Sequence, residues 1–248
     1  MMPSQRFAAT ATDYGFVESS INGSLFQHRI YATHSSLKAS QNKTLHVYLD
    51  GDGTPWKYQS PSEDPTSRNS LILSLMVQDP APSILLGRPC YHGFHNSNFC
   101  NQSLWTAKRY APEIVDSMAA ALNHWLEKKL FSKIVLIGYS GGGTLAVLMA
   151  EKIANVQAVV TFAANLDVSA WSKALGYEPL TQSLNPISQK KLPRHIKQLH
   201  LAGEEDEIVP AYIVKSFAER QNATYRLFPG FNHQCCWEDA WKEILQLF

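Results

Sequence analysis

Ser140, Asp206 and His233 are residues of the types needed for nucleophilic catalysis. Ser140 lies in Gly138-Tyr139-Ser140-Gly141-Gly142, directly after the apolar run Ile134 to Ile137 and directly before the helix-forming run Thr144 to Ala150. A serine on a tight turn between a buried strand and a helix needs neighbours that are nearly free of side chain, which Gly138 and Gly142 supply. The alternative is a glycine-rich turn with an incidental serine. A serine hydroxyl is a poor nucleophile until a base takes its proton, so a histidine and an orienting acid are expected further on.

His233, in Phe228-Pro229-Gly230-Phe231-Asn232-His233, is the expected base, against the reading of a surface loop histidine. His124, His195 and His200 stand at helix, pre-strand and strand positions and read as structural. Asp206 is the preferred acid, because the chain has just left a strand there and Pro210 follows. Glu204, Glu205 and Glu207 read as a solvated face, and Asp167, after the preceding strand, is the substitute acid. Two N–H donors must also meet the oxyanion of a tetrahedral intermediate. The expected donors are the amide of Gly141 and that of Asp52, in the loop Asp50-Gly51-Asp52-Gly53 after Thr44 to Leu49. An acid beside a developing anion is unfavourable, so the Asp52 side chain must point away or pair, with Arg88 as a partner. A phosphate cradle does not fit, since no Lys-Ser/Thr follows and two carboxylates would face the phosphate.

The elements that must position these residues alternate in type. Strands are expected over Gly15 to Ile21 and Leu25 to Ala32, straddling Asn22-Gly23, then over Thr44 to Leu49 and Ser83 to Gly87. Four more follow: the serine strand, Val156 to Ala163, Ile196 to Ala202, and Ala223 to Phe228. Helices are expected around Asn69 to Val77, over Ala111 to Lys128 with its face of Ile114, Val115, Met118, Leu122, Trp125 and Leu126, over Pro210 to Arg220, and at the C-terminus. The first residues read as a polar start. This is a single α/β domain over 1–248, with a mainly parallel sheet of about eight strands and helices on both faces. Residues 164–195 form a short cap or lid insertion. Its Trp171 and Tyr177, with Tyr139 beside the serine, are the expected substrate contacts, although both insertion aromatics equally suit core packing.

At 248 residues the chain can bury a large core. A formal net charge of +1 gives no footprint for nucleic acid. No apolar stretch is long enough to span a membrane. The N-terminus MMPSQRFAATATDYGF lacks the apolar core of a signal peptide, so the protein stays where it is made or the sequence begins after a removed leader. Cys90, Cys100, Cys235 and Cys236 read as buried thiols or as disulfide partners. Cys90-x-His92-x-x-His95-x4-Cys100 matches no zinc pattern, and no metal or cofactor is expected. Sequons at Asn22, Asn42, Asn101 and Asn222 matter only in a secreted protein.

With GYSGG, GEEDEIVP and FNHQCCW in this order, the chain resembles the α/β-hydrolase superfamily over nearly its whole length. YLDGDGTPW, LLGRPCY, SLNP and NHQCCW resemble a group of small bacterial α/β-hydrolases, many of them similar to exported or envelope proteins. The resemblance implies a serine hydrolase acting on a small-molecule ester through an acyl-enzyme, in the periplasm or envelope, or in the cytoplasm if the N-terminus is native. Peptidase, thioesterase or acyltransferase chemistry uses the same residues. A non-catalytic binding protein on this scaffold is the third class. In the implied fold the cysteine-bearing loops rise from one sheet edge. In an exported protein Cys235 or Cys236 is then expected to pair with Cys90 or Cys100, since disulfide geometry disfavours neighbours.

Overall fold

The computed structural model describes residues 1–38, 43–127 and 129–248. The expected sequon at Asn42 and the expected helix end at Lys128 lie outside the described residues. Eight strands build the main sheet: β1 (Val17–Asn22), β2 (Gln27–Ala32), β3 (Thr44–Leu49), β4 (Ser83–Leu86), β5 (Lys133–Tyr139), β6 (Val156–Phe162), β7 (Lys197–Gly203) and β8 (Thr224–Phe228). Their spatial order is β1-β2-β4-β3-β5-β6-β7-β8. β1 and β2, and β2 and β4, pair antiparallel, and every later pairing is parallel.

Eight α-helices accompany the sheet among the described residues: α1 (Pro3–Asp13), α2 (His34–Leu37), α3 (Leu71–Val77), α4 (Pro112–Leu126), α5 (Gly141–Met149), α6 (Val168–Ala174), α7 (Ala211–Gln221) and α8 (Trp237–Ile244). The apolar run of β5 is continuous because both its faces are covered. Ile134 and Leu136 join a core with residues of α4, α5 and α7, while Val135 and Ile137 join a second core with residues of α1, α3 and α8. The helices therefore flank both faces of the sheet.

The polar start expected at the N-terminus is instead helix α1. Phe7 and Ala11 are buried against the second core, and Tyr31 lies 5.5 Å from the Phe7 ring. Two buried apolar residues make too thin a stripe to stand out in sequence, and packing supplies the rest. Within 164–195, Leu166, Val168 and Trp171 belong to the first core, whereas Tyr177 is exposed.

Candidate active site

The turn after β5 is built by close approach. A Cβ on Gly138 would lie 2.4 Å from the Cα of Gly143, and one on Gly142 would lie 2.1 Å from the Leu49 carbonyl oxygen. Side chains at either position would push α5 off the sheet. Ser140 sits between them in the left-handed region, at φ 50°. Its amide donates to the Phe162 carbonyl of neighbouring β6 at 3.0 Å. The side chain is thereby lifted above the carboxyl end of β5.

His233 reaches this serine from the loop after β8, with Nε2 3.1 Å from Ser140 Oγ. Its Nδ1 lies 2.9 Å from Asp206 Oδ2 and 3.1 Å from Oδ1. With Asp206 ionised, Nδ1 carries the proton and donates it, which leaves Nε2 to accept from the serine hydroxyl. Asp206 is buried, and its Oδ1 also accepts from the amides of Ile208 and Val209 at 2.9 and 2.7 Å. Those bonds fix the carboxylate under the ring. Asp167 is occupied elsewhere: its Oδ1 accepts from the Ala170 amide at the start of α6 and from Asn185 Nδ2. Asp206, not Asp167, meets the histidine.

Asp52 is paired, and more heavily than its sequence context suggests. Arg88 Nη1 donates to Oδ1, Arg109 Nη1 donates to Oδ2 at 3.0 Å, and the Tyr110 hydroxyl donates to Oδ2 at 2.7 Å. Burial opposes ionisation of this carboxyl, but the two guanidiniums outweigh it and hold the pKa at about 2. Neighbouring Asp50 has no such partners. Burial pushes its pKa up to about 7, against the Gly51 amide and Arg88. Among the described residues no acceptor is assigned to the amide of Gly141 or of Asp52. Arg109 and Tyr110 escaped the sequence reading because they lie in the irregular stretch before α4, where no periodicity marks them.

Ser140 and His233 open into a cavity of about 900 Å³. Trp171, Tyr177 and Tyr139 all line it. Trp171 also packs in the core and donates from Nε1 to the Ile208 carbonyl at 2.8 Å, so pocket and core readings both hold for it. Tyr139 lies under the site, its ring 5.2 Å from that of His233. Trp56 and Tyr58, on a small hairpin formed by Trp56–Lys57 and Ser60–Pro61, add a further wall.

The cysteine pairing differs from expectation. Cys90 bonds Cys100, at a Cα separation of 5.6 Å, and Cys235 bonds Cys236. Successive turns from Tyr91 to Cys100 bring the first pair together within one loop. The usual Cα range describes cysteines on separate stretches of chain, whereas adjacent cysteines can close a small ring with each other. Since Cys90 and Cys100 are joined, neither offers a thiolate to the Cys-His-His-Cys spacing.

A sheet of this order, with helices on both faces and a serine on the turn after β5, is the α/β-hydrolase fold. The sequence pattern of the Dienelactone hydrolase family matches residues 91–247, more than half of the chain, and the protein belongs to that family. It is therefore a hydrolase. Solved structures agree on the fold. A Xanthomonas campestris α/β serine hydrolase described as having no lid matches with a TM-score of 0.60 at 12% identity, covering 94% of each chain. A Pyrobaculum calidifontis esterase matches at 0.62 and 14%, over 99% of this chain and 93% of its own. An acylaminoacyl peptidase of Pyrococcus horikoshii matches at 0.64 and 11%, over 94% of this chain and 41% of its own. No curated protein matches by sequence. Among the described residues, no helix is long and apolar enough to cross a membrane.

Proposed function

We propose that the protein is a serine esterase that cleaves carboxylic esters of small molecules through a covalent acyl-enzyme. The observation that carries this reading is His233, hydrogen-bonded to Ser140 on one side of its ring and to Asp206 on the other. Ser140 Oγ attacks the ester carbonyl as its proton passes to His233 Nε2. Asp206 stabilises the imidazolium and keeps the ring oriented. The amides of Gly141 and Asp52 hold the oxyanion. Collapse of the tetrahedral intermediate expels the alcohol, which takes the proton from Nε2. Water, deprotonated by the same nitrogen, then attacks the acyl-enzyme, and the acid leaves as Ser140 regains its proton.

The family name denotes action on a lactone, which is a cyclic ester and so the same bond class. The chain works as one domain, and residues 164–195 act as a short cap whose Trp171 and Tyr177 contact the acyl or alcohol group. The test is fluorophosphonate labelling mapped to Ser140, followed by turnover of p-nitrophenyl esters of graded chain length. Ser140→Ala should lower kcat by about a millionfold. Asp206→Asn should cripple the enzyme, whereas Asp167→Asn should be mild. An unlabelled Ser140 would point to a binding protein, and thioester or peptide turnover without ester turnover would change the bond class.

A further inference from the structure

The wall of the Ser140 cavity contains a buried amide with nothing to bond. Asn165 lines the cavity, is 2% exposed, and has no partner for Oδ1 or Nδ2 among the described residues. Because both atoms are unpartnered, the observation is the same whichever way the amide is flipped. Buried side-chain polar atoms are normally paired, and one left with neither bond made calls for an explanation.

Its backbone is firmly held. The Asn165 carbonyl accepts from Thr144 Oγ1 on α5, the helix that follows directly on Ser140. Two residues earlier, Ala163 is kept in the left-handed region at φ 48°, with its amide donating to the Leu201 carbonyl. A non-glycine residue in that region costs free energy, and such residues concentrate at ligand-binding and catalytic sites. The segment from β6 thus carries a strained residue and, next to the nucleophile helix, an unsatisfied amide.

We infer that Asn165 is the specificity residue of the cavity and that it recognises a carboxamide or lactam on the substrate. A side-chain amide presents a donor and an acceptor on one edge. Its full complement is a group with an acceptor and a donor on one edge, which a primary carboxamide or a lactam has. A ketone satisfies half of it, and a hydrocarbon chain satisfies none. A site built to hydrogen-bond its substrate discriminates strongly against analogues that lack the bonding group, because its own polar atoms are then left unpaired. The inference rests on reading the Ser140 cavity as the substrate site.

Three methyl esters of equal skeleton test it: methyl succinamate, methyl 4-oxopentanoate and methyl 4-methylpentanoate. They present C=O with NH2, C=O with CH3, and two CH3 groups at the same carbon. With kcat/KM divided by the rate of hydroxide hydrolysis, the wild type should prefer the carboxamide over the branched alkyl ester by about tenfold to a hundredfold, with the ketone between. Asn165→Leu should shrink that spread to within about threefold. Asn165→Ala, which lacks both the donor and the acceptor, should lose the preference as well and covers a leucine variant that fails to fold. Affinities of the same esters for Ser140→Ala protein, read from tryptophan fluorescence with Trp171 in the cavity wall, should follow the same order. Equal rates and affinities for the three esters, or a preference that survives both Asn165 variants, would overturn the inference while leaving an esterase in place. Ordered affinities without turnover of any ester would uphold Asn165 and refute the esterase reading instead.

Discussion

The carboxylate of Asp52 lies against the backbone of Gly141. A Cβ on Gly141 would come within 2.0 Å of Asp52 Oδ1 and 2.7 Å of the Tyr110 hydroxyl. The two residues proposed to supply the oxyanion's amides are thus packed directly on each other, and the side chain of one leaves no room for a side chain on the other.

Gly141→Ala should therefore be damaging in two ways. Neither crowded atom can retreat cheaply, because Arg88 and Arg109 hold Asp52 in place. Overpacking of this kind costs about 1–3 kcal/mol, read as a lower denaturant midpoint. Displacing the Gly141 amide should also lower kcat on a p-nitrophenyl ester by about a hundredfold or more, with little change in KM. Wild-type stability and kcat together would show that the contact yields.

Asp52→Asn leaves two guanidiniums with no carboxylate between them. Removing one partner from a buried ion pair costs about 3–5 kcal/mol, and the Asp52 side chain is only 16% exposed. The pH dependence has a definite sign. The folded pKa is depressed from 3.8 to about 2, so the charge contributes its full stability above the unfolded value and loses it as pH falls through 2. The stability gap between wild type and Asp52→Asn should not close between pH 8 and pH 4, since the carboxylate that repels Asp52, that of Asp50, is neutralised as pH falls through about 7. A gap that closes between pH 7 and 5 would locate the clamp's charge elsewhere.

The acid sensitivity of the protein should come from buried histidines. Burial lowers His28 to about 4, the Gly87 carbonyl opposing it, and lowers His92 and His200 to about 3. All three stay neutral in the folded protein while the unfolded chain protonates near 6.5. Their stability is present above 6.5 and is lost as pH falls, at about 1.4 kcal/mol per pH unit for each histidine. Denaturant titrations near pH 5 should show about two protons taken up on unfolding, since the three gained by the histidines are offset by one that Asp50 releases, and about one in His28→Gln. Absence of that uptake would mean that these rings are protonated in the fold.

Legibility in the sequence followed the range of the interactions involved. The serine turn could be read because strand, glycines and helix are contiguous, and His233 because it stands in the loop after the last strand. The acid could be narrowed only to Asp206 or Asp167. Both leave neighbouring strands, and the choice lies in whether the Ala170 and Asn185 groups or the His233 ring claims the carboxylate. Arg88 was visible as a partner for Asp52, but Arg109 and Tyr110 were not, since they come from more than fifty residues away without a local pattern.

By itself, then, the sequence determined the α/β alternation, the turn that raises Ser140, and the placing of Asp206 and His233 in loops after later strands, because each is written in local runs of residues and backbone preference. The tertiary structure alone decided which acid faces His233, that α1 packs on the sheet, that Cys90 meets Cys100, and that Asn165 is buried without a partner. Those outcomes depend on which distant groups reach a given atom once the sheet has assembled, and a side chain's own neighbours in the chain carry no record of that.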